Sequence, residues 1–234
     1  MITSKLILVE GPPGSGKSTT AQILAEEISK SGKKCQYFLE WSPNNPIAIG
    51  DDFQLGKAVE TSIAREGEVL QQWRHFAQDS RTKHQVTVME SRFWQTSMML
   101  MYAAGHPIEG VVESNQLVVN AIRGLDPVLI YLTIDDLRSF LERIIRLKEA
   151  EWLRDGIEGS WAQHVFDAFG PQKWFTDRGL SGIEGMVAFL EEWVSVAETL
   201  YERLPFPKVK IRNPYQDWQL AMQKMRAFLD LGGV

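Results

Sequence analysis

The chain contains a single cysteine, Cys35, among its 234 residues. A lone cysteine excludes an intrachain disulfide and is typical of a protein that works in a reducing compartment. No apolar run approaches the roughly 18 residues that a membrane-spanning helix needs. The run from Leu6 to Val9 is also too short for the core of a signal peptide. We therefore expect a cytoplasmic protein without a membrane partner.

Positive charge is also scarce, with 25 lysines and arginines against 30 acidic residues and a net charge of −5. Affinity for nucleic acid comes largely from contacts between cations and phosphates, so this balance argues against nucleic acid as the main partner. The histidines do not have metal-ligand spacing with one another or with Cys35, so we expect no zinc site.

No repeat, low-complexity tract or flexible linker divides the sequence, so we expect one domain over residues 1–234, within the usual size range. Short apolar runs rich in β-branched residues alternate with longer segments of helical periodicity. This alternation predicts an α/β fold in which helices cover both faces of a parallel sheet. The predicted strands are Lys5–Glu10, Cys35–Glu40, Val86–Glu90, Val128–Thr133 and Lys208–Arg212.

The clearest helical segments follow from apolar residues spaced three and four apart and from stop signals such as glycine. They are Lys17–Ser31, Gly56–Ser80, Asp135–Arg154, Ile183–Leu204 and Pro214–Leu231. We expect Thr133 or Asp135 to cap the third of these helices and Ser181 to cap the fourth, because short polar side chains favour that position.

Residues 11–18 match the phosphate-binding pattern G-x-x-x-x-G-K-[ST], between a predicted strand and a predicted helix. Glycines leave room for phosphate oxygens, and successive backbone N–H groups form an anion-binding nest at a helix N-terminus. Lys17 is expected near the β- and γ-phosphates, and the Ser18 hydroxyl is expected to bind Mg²⁺. The alternative is a glycine-rich turn. The candidate nucleotide-binding residues are Gly11, Pro13, Gly14, Ser15, Gly16, Lys17, Ser18 and Thr19.

Two further motifs stand at the ends of predicted strands. Phe38–Pro43 reads Phe-Leu-Glu-Trp-Ser-Pro, and Val88–Phe93 reads Val-Met-Glu-Ser-Arg-Phe. With the glycine loop and an arginine-bearing helix at Asp135–Arg154, these motifs resemble the P-loop nucleoside and nucleotide kinases, such as thymidylate kinase and the deoxynucleoside kinases. The chain departs from the family by lacking proline after Glu40 and by placing Ser91 before Arg92.

The resemblance implies a parallel sheet in the order 2-3-1-4-5, with ATP across the carboxyl ends of its strands. It also implies a lid at about residues 135–155. The strand ends near Glu10, Glu40, Glu90 and Thr133 should then meet around one crevice.

Phosphoryl transfer needs alignment and neutralised phosphate oxygens more than covalent chemistry. Glu40 is the candidate base that orients the acceptor, and Glu90 closes a buried strand where it could hold Mg²⁺ through water. Arg143 and Arg146 share one helix face and could neutralise a transferring phosphoryl group. The candidate catalytic residues are Lys17, Glu40, Glu90, Arg92, Arg143 and Arg146, and the candidate metal ligands are Ser18 and Glu90.

Each of these side chains also has a purely structural interpretation. Glu40 could be a solvated carboxylate that caps the next turn, and Glu90 could form an ion pair with Arg92. Arg143 and Arg146 could belong to an exposed face where acidic neighbours are their partners, and this interpretation is favoured for Arg138 and Arg154.

The segment Trp41–Asp52 has the composition of a loop beside the candidate base, so it could enclose the acceptor. Asn44 and Asn45 are either substrate contacts or turn residues. Trp41, Trp73 and Trp94 are either core residues or walls of an acceptor pocket, with packing the favoured role.

The sequence therefore predicts an ATP- and Mg²⁺-dependent kinase that phosphorylates a small molecule, with a nucleoside or nucleotide suggested by resemblance alone. Two alternatives remain open: a nucleotide-switched regulatory ATPase without an acceptor, and a P-loop transferase of another group such as sulfate. The expected partners are ATP and the acceptor, and a homodimer is left open.

Overall fold

A computed structural model describes residues 3–40, 42–47 and 66–231. In this part of the chain, five strands form one sheet in the order β2-β3-β1-β4-β5, and every neighbouring pair is parallel. The predicted α/β class and sheet order are confirmed. The strands are β1 Leu6–Glu10, β2 Cys35–Phe38, β3 Val86–Glu90, β4 Val128–Thr133 and β5 Lys208–Arg212.

Helices connect the strands and cover the sheet. They are α1 Lys17–Lys30, α2 Glu66–Thr82, α3 Met98–Ala103, α4 Ile108–Ile122, α5 Leu137–Arg154, α6 Trp161–Phe169, α7 Lys173–Arg178, α8 Gly182–Arg203 and α9 Trp218–Phe228, with a 3-10 turn at Arg123–Leu125.

The central strand β1 contributes to hydrophobic cores on both faces of the sheet because successive side chains of a strand point to opposite faces. Ile7 and Val9 belong to the core that includes apolar side chains of α1 and α9. Leu6 and Leu8 belong to the larger core, which includes side chains of α2 to α8. Since both faces are covered, the central strands are continuous apolar runs and were readily predicted.

The predicted start of α5 needs correction. The helix begins at Leu137, and the Asp136 carboxylate accepts a hydrogen bond of 3.0 Å from the backbone N–H of Ser139. Asp136 is therefore the cap, and the prediction of Thr133 or Asp135 was wrong. Thr133, Asp135 and Asp136 are all polar, and only the backbone geometry decides which of them caps the helix.

Other helix boundaries also shift. Ser181 precedes α8 as predicted, but its side chain makes no capping hydrogen bond. The last helix starts at Trp218 rather than Pro214, because the Asp217 side chain caps it through a 2.9 Å hydrogen bond from Leu220 N–H. Residues 56–65 of the predicted helix Gly56–Ser80 lie outside the described residues. None of the helices in the described ranges is long and apolar enough to span a membrane.

Candidate active site

The glycine loop joins β1 to α1 through residues with left-handed backbone angles. Gly14 has a φ of 80°, and Gly16, the N-cap of α1, has a φ of 95°. No side chain caps this helix, and its first turn has no acidic residue. The N-terminal end of α1 therefore keeps the positive potential that attracts an anion.

Two helices approach the loop so closely that only glycine fits beneath them. A Cβ atom added to Gly14 would lie 2.4 Å from Cδ1 of Ile144 in α5. A Cβ added to Gly16 would lie 2.9 Å from a ring carbon of Trp218 in α9. Helix α5, the predicted lid, therefore already contacts the loop through one aliphatic side chain.

Lys17 is buried, with 4% of its surface exposed. Its ammonium donates a 3.0 Å hydrogen bond to the carbonyl oxygen of Pro12 within the same loop. Ser15 Oγ and Thr20 Oγ1 are buried without a hydrogen-bond partner in the described structure, whereas Ser18 and Thr19 are exposed. Buried hydroxyls without partners are uncommon in folded proteins, so the loop is chemically suited to a polar ligand such as a polyphosphate.

Glu10, the last residue of β1, is buried and organises the turn after β3. Its Oε1 accepts hydrogen bonds from the backbone N–H groups of Phe93 at 2.8 Å and Trp94 at 3.0 Å. Its Oε2 accepts one from Gln95 N–H at 3.2 Å. Burial raises the pKa of Glu10 to about 7, although these hydrogen bonds and the charge of Lys17 oppose the rise.

Glu90, the last residue of β3, is also buried, and both of its oxygens have partners. Oε2 accepts a 2.8 Å hydrogen bond from the backbone N–H of Glu40, and Oε1 accepts one of 2.7 Å from Ser91 Oγ. Glu90 thus fixes the backbone beside the candidate base. Each oxygen keeps a second lone pair, which a metal-bound water could use as its acceptor.

Ser91, which interrupts the family motif, adopts a left-handed conformation with a φ of 62°. The next residue, Arg92, is 5% exposed, and its Nη2 donates a short hydrogen bond to the carbonyl oxygen of Glu40. Arg92 Nε and Nη1 are buried without partners in the described structure. Burial lowers the pKa of this guanidinium, while the charges of Glu40, Glu90 and Glu10 raise it.

The Glu40 side chain is held by residues that follow β3. Gln95 Nε2 lies 3.3 Å from each Glu40 carboxylate oxygen, and Thr96 Oγ1 lies 3.2 Å from Oε1. Burial raises the pKa of Glu40, and Glu90 adds to the rise, whereas Lys17 and Arg92 lower it. Glu40 is therefore partly buried and fixed, which differs from a freely solvated carboxylate.

Three of the four strand ends expected to meet are thus linked. The side chains of Glu10 and Glu40 bind the turn after β3, and the Glu90 side chain binds the backbone N–H of Glu40. Arg92 lies among these carboxylates and donates to the Glu40 carbonyl oxygen. Thr133 lies apart from these hydrogen bonds: its carbonyl oxygen accepts a 2.7 Å bond from the N–H of Asn213 after β5.

The arginines of α5 fall into two groups. Arg138 forms an ion pair with Glu184, and Arg154 forms one with Asp155, as the structural interpretation favoured. Arg143 and Arg146 are exposed, and no ion pair joins either to another described residue. The Arg143 guanidinium lies 5.3 Å from the centre of the Tyr215 ring.

Two acidic residues of the same helix, Glu149 and Glu151, have other partners. Lys148 pairs with Glu151 at 2.6 Å, and Glu149 accepts hydrogen bonds from Ser160 Oγ and Ala162 N–H. Neither Glu149 nor Glu151 therefore forms an ion pair with Arg143 or Arg146.

A cleft lies beside the loop on the side of the larger core, and we call it the tryptophan cleft. Its apolar walls come from the turn after β3, from β4 and from α5 and α8, and Glu10 and Gln95 contribute polar groups. Its interior space is about 10 Å³, roughly the room that one water molecule needs. The lining residues are Glu10, Gly11, Pro12, Trp94, Gln95, Tyr131, Leu137, Leu190, Trp193 and Val194.

The sequence left two roles open for several residues of the loop after β2 and for three tryptophans. Asn45 is a turn residue, since its side chain bonds Leu39 O and Ile47 N within the same loop. Asn44 is exposed. Trp73 and Trp94 are buried core residues, and Trp94 also lines the tryptophan cleft. The predictions on Trp41 and on residues 48–52 lie outside the described residues.

Sequence reasoning missed the roles of Gln95 and of the Glu10 side chain. Each acts through hydrogen bonds to residues more than 50 positions away, so no local pattern marks them. The one available signal was Glu10 itself, an acidic residue at the end of an apolar run.

The glycine loop, the parallel sheet order and the helix after the loop define a P-loop nucleotide kinase-like fold. No protein-family profile and no curated protein matches the chain. Solved structures do: it is similar to deoxyadenosine kinase from M. mycoides with bound dATP, at 15% identity over 94% of this chain and 99% of that one, with a TM-score of 0.43.

The chain is also similar to two thymidylate kinases. The enzyme from Candida albicans is 14% identical over 95% of this chain and 92% of its own, with a TM-score of 0.43. The enzyme from Ehrlichia chaffeensis is 19% identical over 65% of this chain and 84% of its own, with a TM-score of 0.36.

Proposed function

We propose that the protein is an ATP- and Mg²⁺-dependent phosphotransferase that moves the γ-phosphoryl group of ATP to a small-molecule acceptor. One observation carries the proposal: the glycine loop holds a buried lysine at the start of α1, and the carboxylates of Glu40 and Glu90 lie with Arg92 after the neighbouring strands of the same sheet. A cation for the phosphate chain and a carboxylate for the acceptor are the two groups that phosphoryl transfer requires.

In this proposal Lys17 leaves the carbonyl oxygen of Pro12 and turns to the phosphate chain, while the N–H groups at the start of α1 receive phosphate oxygens. Arg92 has two buried nitrogens without partners, and a phosphoryl oxygen would satisfy them. Arg143 and Arg146, on the lid at about residues 135–155, would approach the same group.

Glu40 would accept the hydrogen bond of the acceptor hydroxyl and orient it for in-line attack. Its raised pKa suits a group that receives a proton during transfer. Mg²⁺ would be held by the Ser18 hydroxyl and, through water, by Glu90, and when bound it would neutralise phosphate oxygens.

The proposal is tested by ATP consumption against a panel of hydroxyl and phosphate metabolites. A kinase consumes ATP slowly alone and much faster with its acceptor, because the productive site excludes water. A regulatory ATPase would show no acceptor dependence. Complete insensitivity to every acceptor would contradict the transferase assignment.

Binding is tested separately with Lys17→Ala. Loss of the ammonium should abolish measurable ATP affinity in calorimetry, since no other described cation bonds within the loop. Lys30→Ala is the matched control, because Lys30 lies at the exposed end of the same helix. Unchanged ATP affinity in Lys17→Ala would overturn the phosphate site itself.

A further inference from the structure

The turn after β3, residues 91–97, carries the groups that hold the candidate base. Gln95 Nε2 lies 3.3 Å from each carboxylate oxygen of Glu40, and Thr96 Oγ1 lies 3.2 Å from one of them. Arg92, in the same turn, donates to the carbonyl oxygen of Glu40. The position of Glu40 therefore depends on where this turn lies.

A side chain from another strand fixes the backbone of the turn. Glu10, at the end of β1, is 1% exposed. Its carboxylate accepts hydrogen bonds from three consecutive backbone N–H groups, those of Phe93, Trp94 and Gln95, at 2.8, 3.0 and 3.2 Å. Successive N–H groups that converge on one point form a nest for an anion. Here a carboxylate of the same chain fills the nest, so the turn is held by strong, charge-assisted hydrogen bonds.

The same carboxylate belongs to the residue that precedes the phosphate loop. Glu10 is followed directly by Gly11, the first glycine of the loop. The turn begins beside this point, because the Ser91 N–H donates to the carbonyl oxygen of Val9 at 3.1 Å. Glu10 therefore joins the start of the phosphate loop to the turn that holds Glu40. In-line transfer needs such a fixed relation, because small errors in the placement of reacting groups cost large factors in rate.

We propose that Glu10 is a positioning residue, which holds the turn after β3 against the phosphate loop and so fixes Glu40 relative to the phosphate chain of ATP. The inference rests on the proposed function, since it gives Glu10 a part in the reaction of Glu40. Glu10 acts through Gln95 and Thr96 and not by contact with either substrate.

Glu10→Gln tests this role because it keeps the shape of the side chain. Only the oxygen of an amide accepts hydrogen bonds, so the amide nitrogen would face a backbone N–H of the turn and displace it. With the acceptor found in the ATP-consumption panel, kcat should fall on the order of 10²-fold, the cost of a displacement of about 1 Å. The affinity for ATP in calorimetry should stay unchanged, because Lys17 is intact. An unaltered kcat, or an equal loss of ATP affinity, would overturn the inference.

Glu27→Gln is the matched control for loss of stability. Glu27 of α1 accepts three hydrogen bonds from Arg226 of α9, so this variant loses a similar set of contacts away from the turn. Measured at a temperature where circular dichroism shows both variants to be folded, its kcat should equal that of wild type. A loss of kcat as large as that of Glu10→Gln would mean a general structural effect and would contradict the positioning role.

The path through the turn is tested by combining Glu10→Gln with Gln95→Met. The second change removes the amide that faces Glu40 and keeps the backbone N–H that Glu10 binds. Two changes on one path are not additive in free energy, so the combined loss of kcat should be smaller than the product of the two single losses. A combined loss equal to that product would show that Glu10 acts independently of the turn and would overturn the inference.

Crystal structures of wild type and Glu10→Gln test the geometry without any reaction. In the variant, the contact between Gln95 Nε2 and the Glu40 carboxylate should lengthen beyond hydrogen-bonding distance. A contact that stays at 3.3 Å would overturn the inference even in an active kinase. A contact that is lost, in a protein that consumes no ATP with any acceptor, would refute the phosphotransferase and keep Glu10 as the residue that positions Glu40.

Discussion

Glu40 depends on groups from several separate parts of the chain. Its backbone N–H is bound by Glu90, its carbonyl oxygen by Arg92, and its carboxylate by Gln95 and Thr96. A carboxylate restrained at every polar atom has little freedom to reorient, which is the condition for orienting a second molecule.

We therefore expect Glu40→Gln to lower kcat by roughly 10²–10⁴-fold, the usual contribution of a positioned base, without weakening ATP binding. Steady-state kinetics and calorimetry measure the two quantities. Glu26→Gln, on the exposed side of α1, is the control and should behave as wild type. Unchanged turnover in Glu40→Gln would refute the role of this carboxylate.

At the scale of the elements, α5 combines two exposed arginines, Arg143 and Arg146, with a contact to the glycine loop. Both are exposed on a helix whose Ile144 contacts the glycine loop. Replacing either by alanine should reduce kcat more than ATP affinity, with the larger effect approaching the roughly 10³–10⁵-fold of a transition-state arginine.

Arg154→Ala provides the comparison, because Arg154 pairs with Asp155 at the far end of the same helix. Rapid-quench measurement of phosphoryl transfer would separate chemistry from product release. Wild-type rates in both Arg143→Ala and Arg146→Ala would exclude α5 as the catalytic lid.

How well a strand or helix can be predicted depends on the pattern of apolar residues in its sequence. The central strands β1, β3 and β4 are predictable because buried parallel strands are largely apolar runs. Helix α3 was not assigned, since all six of its residues are buried and show no periodicity. Helix α4 is rich in valine and contains Gly110, so its local propensity is poor and packing must supply its stability.

The candidate site also has one part that the sequence reveals and another part that it does not. The glycine loop is contiguous, so its pattern is visible in the sequence. The links from Glu10 to Phe93 and from Gln95 to Glu40 arise only when β1, β2 and β3 are paired. Side-chain contacts between distant segments leave no periodic signal that a single sequence could reveal.

At the scale of the whole molecule, burial of Glu10 makes stability depend on pH. The pKa of Glu10 rises from 4.5 to about 7 on folding, so the folded state holds this proton more tightly than the unfolded state. The stabilising contribution is complete below pH 4.5 and is lost as pH rises through about 7. The loss amounts to roughly 3 kcal/mol at most.

We expect Glu10→Gln to remove this component of the pH dependence, so that unfolding free energy declines less between pH 4.5 and 7.5 than it does in wild type. Urea titrations at several pH values measure the difference in slope. The absolute stability of the variant should fall, because an amide cannot accept all three backbone hydrogen bonds. Glu26→Gln should keep the wild-type slope, and identical slopes in Glu10→Gln would contradict a proton held by Glu10.

The closeness of Ile144 to Gly14 also bears on chemical labelling. Ile144 is the side chain of α5 that lies against Gly14, so shortening it by Ile144→Ala would open space beside that loop. A nucleotide analogue with a bulky substituent on its terminal phosphate would then enter the altered protein and be refused by the wild type. On the proposed function, such a pair of protein and analogue would allow the products of this protein to be tagged in a mixture containing ATP-using enzymes.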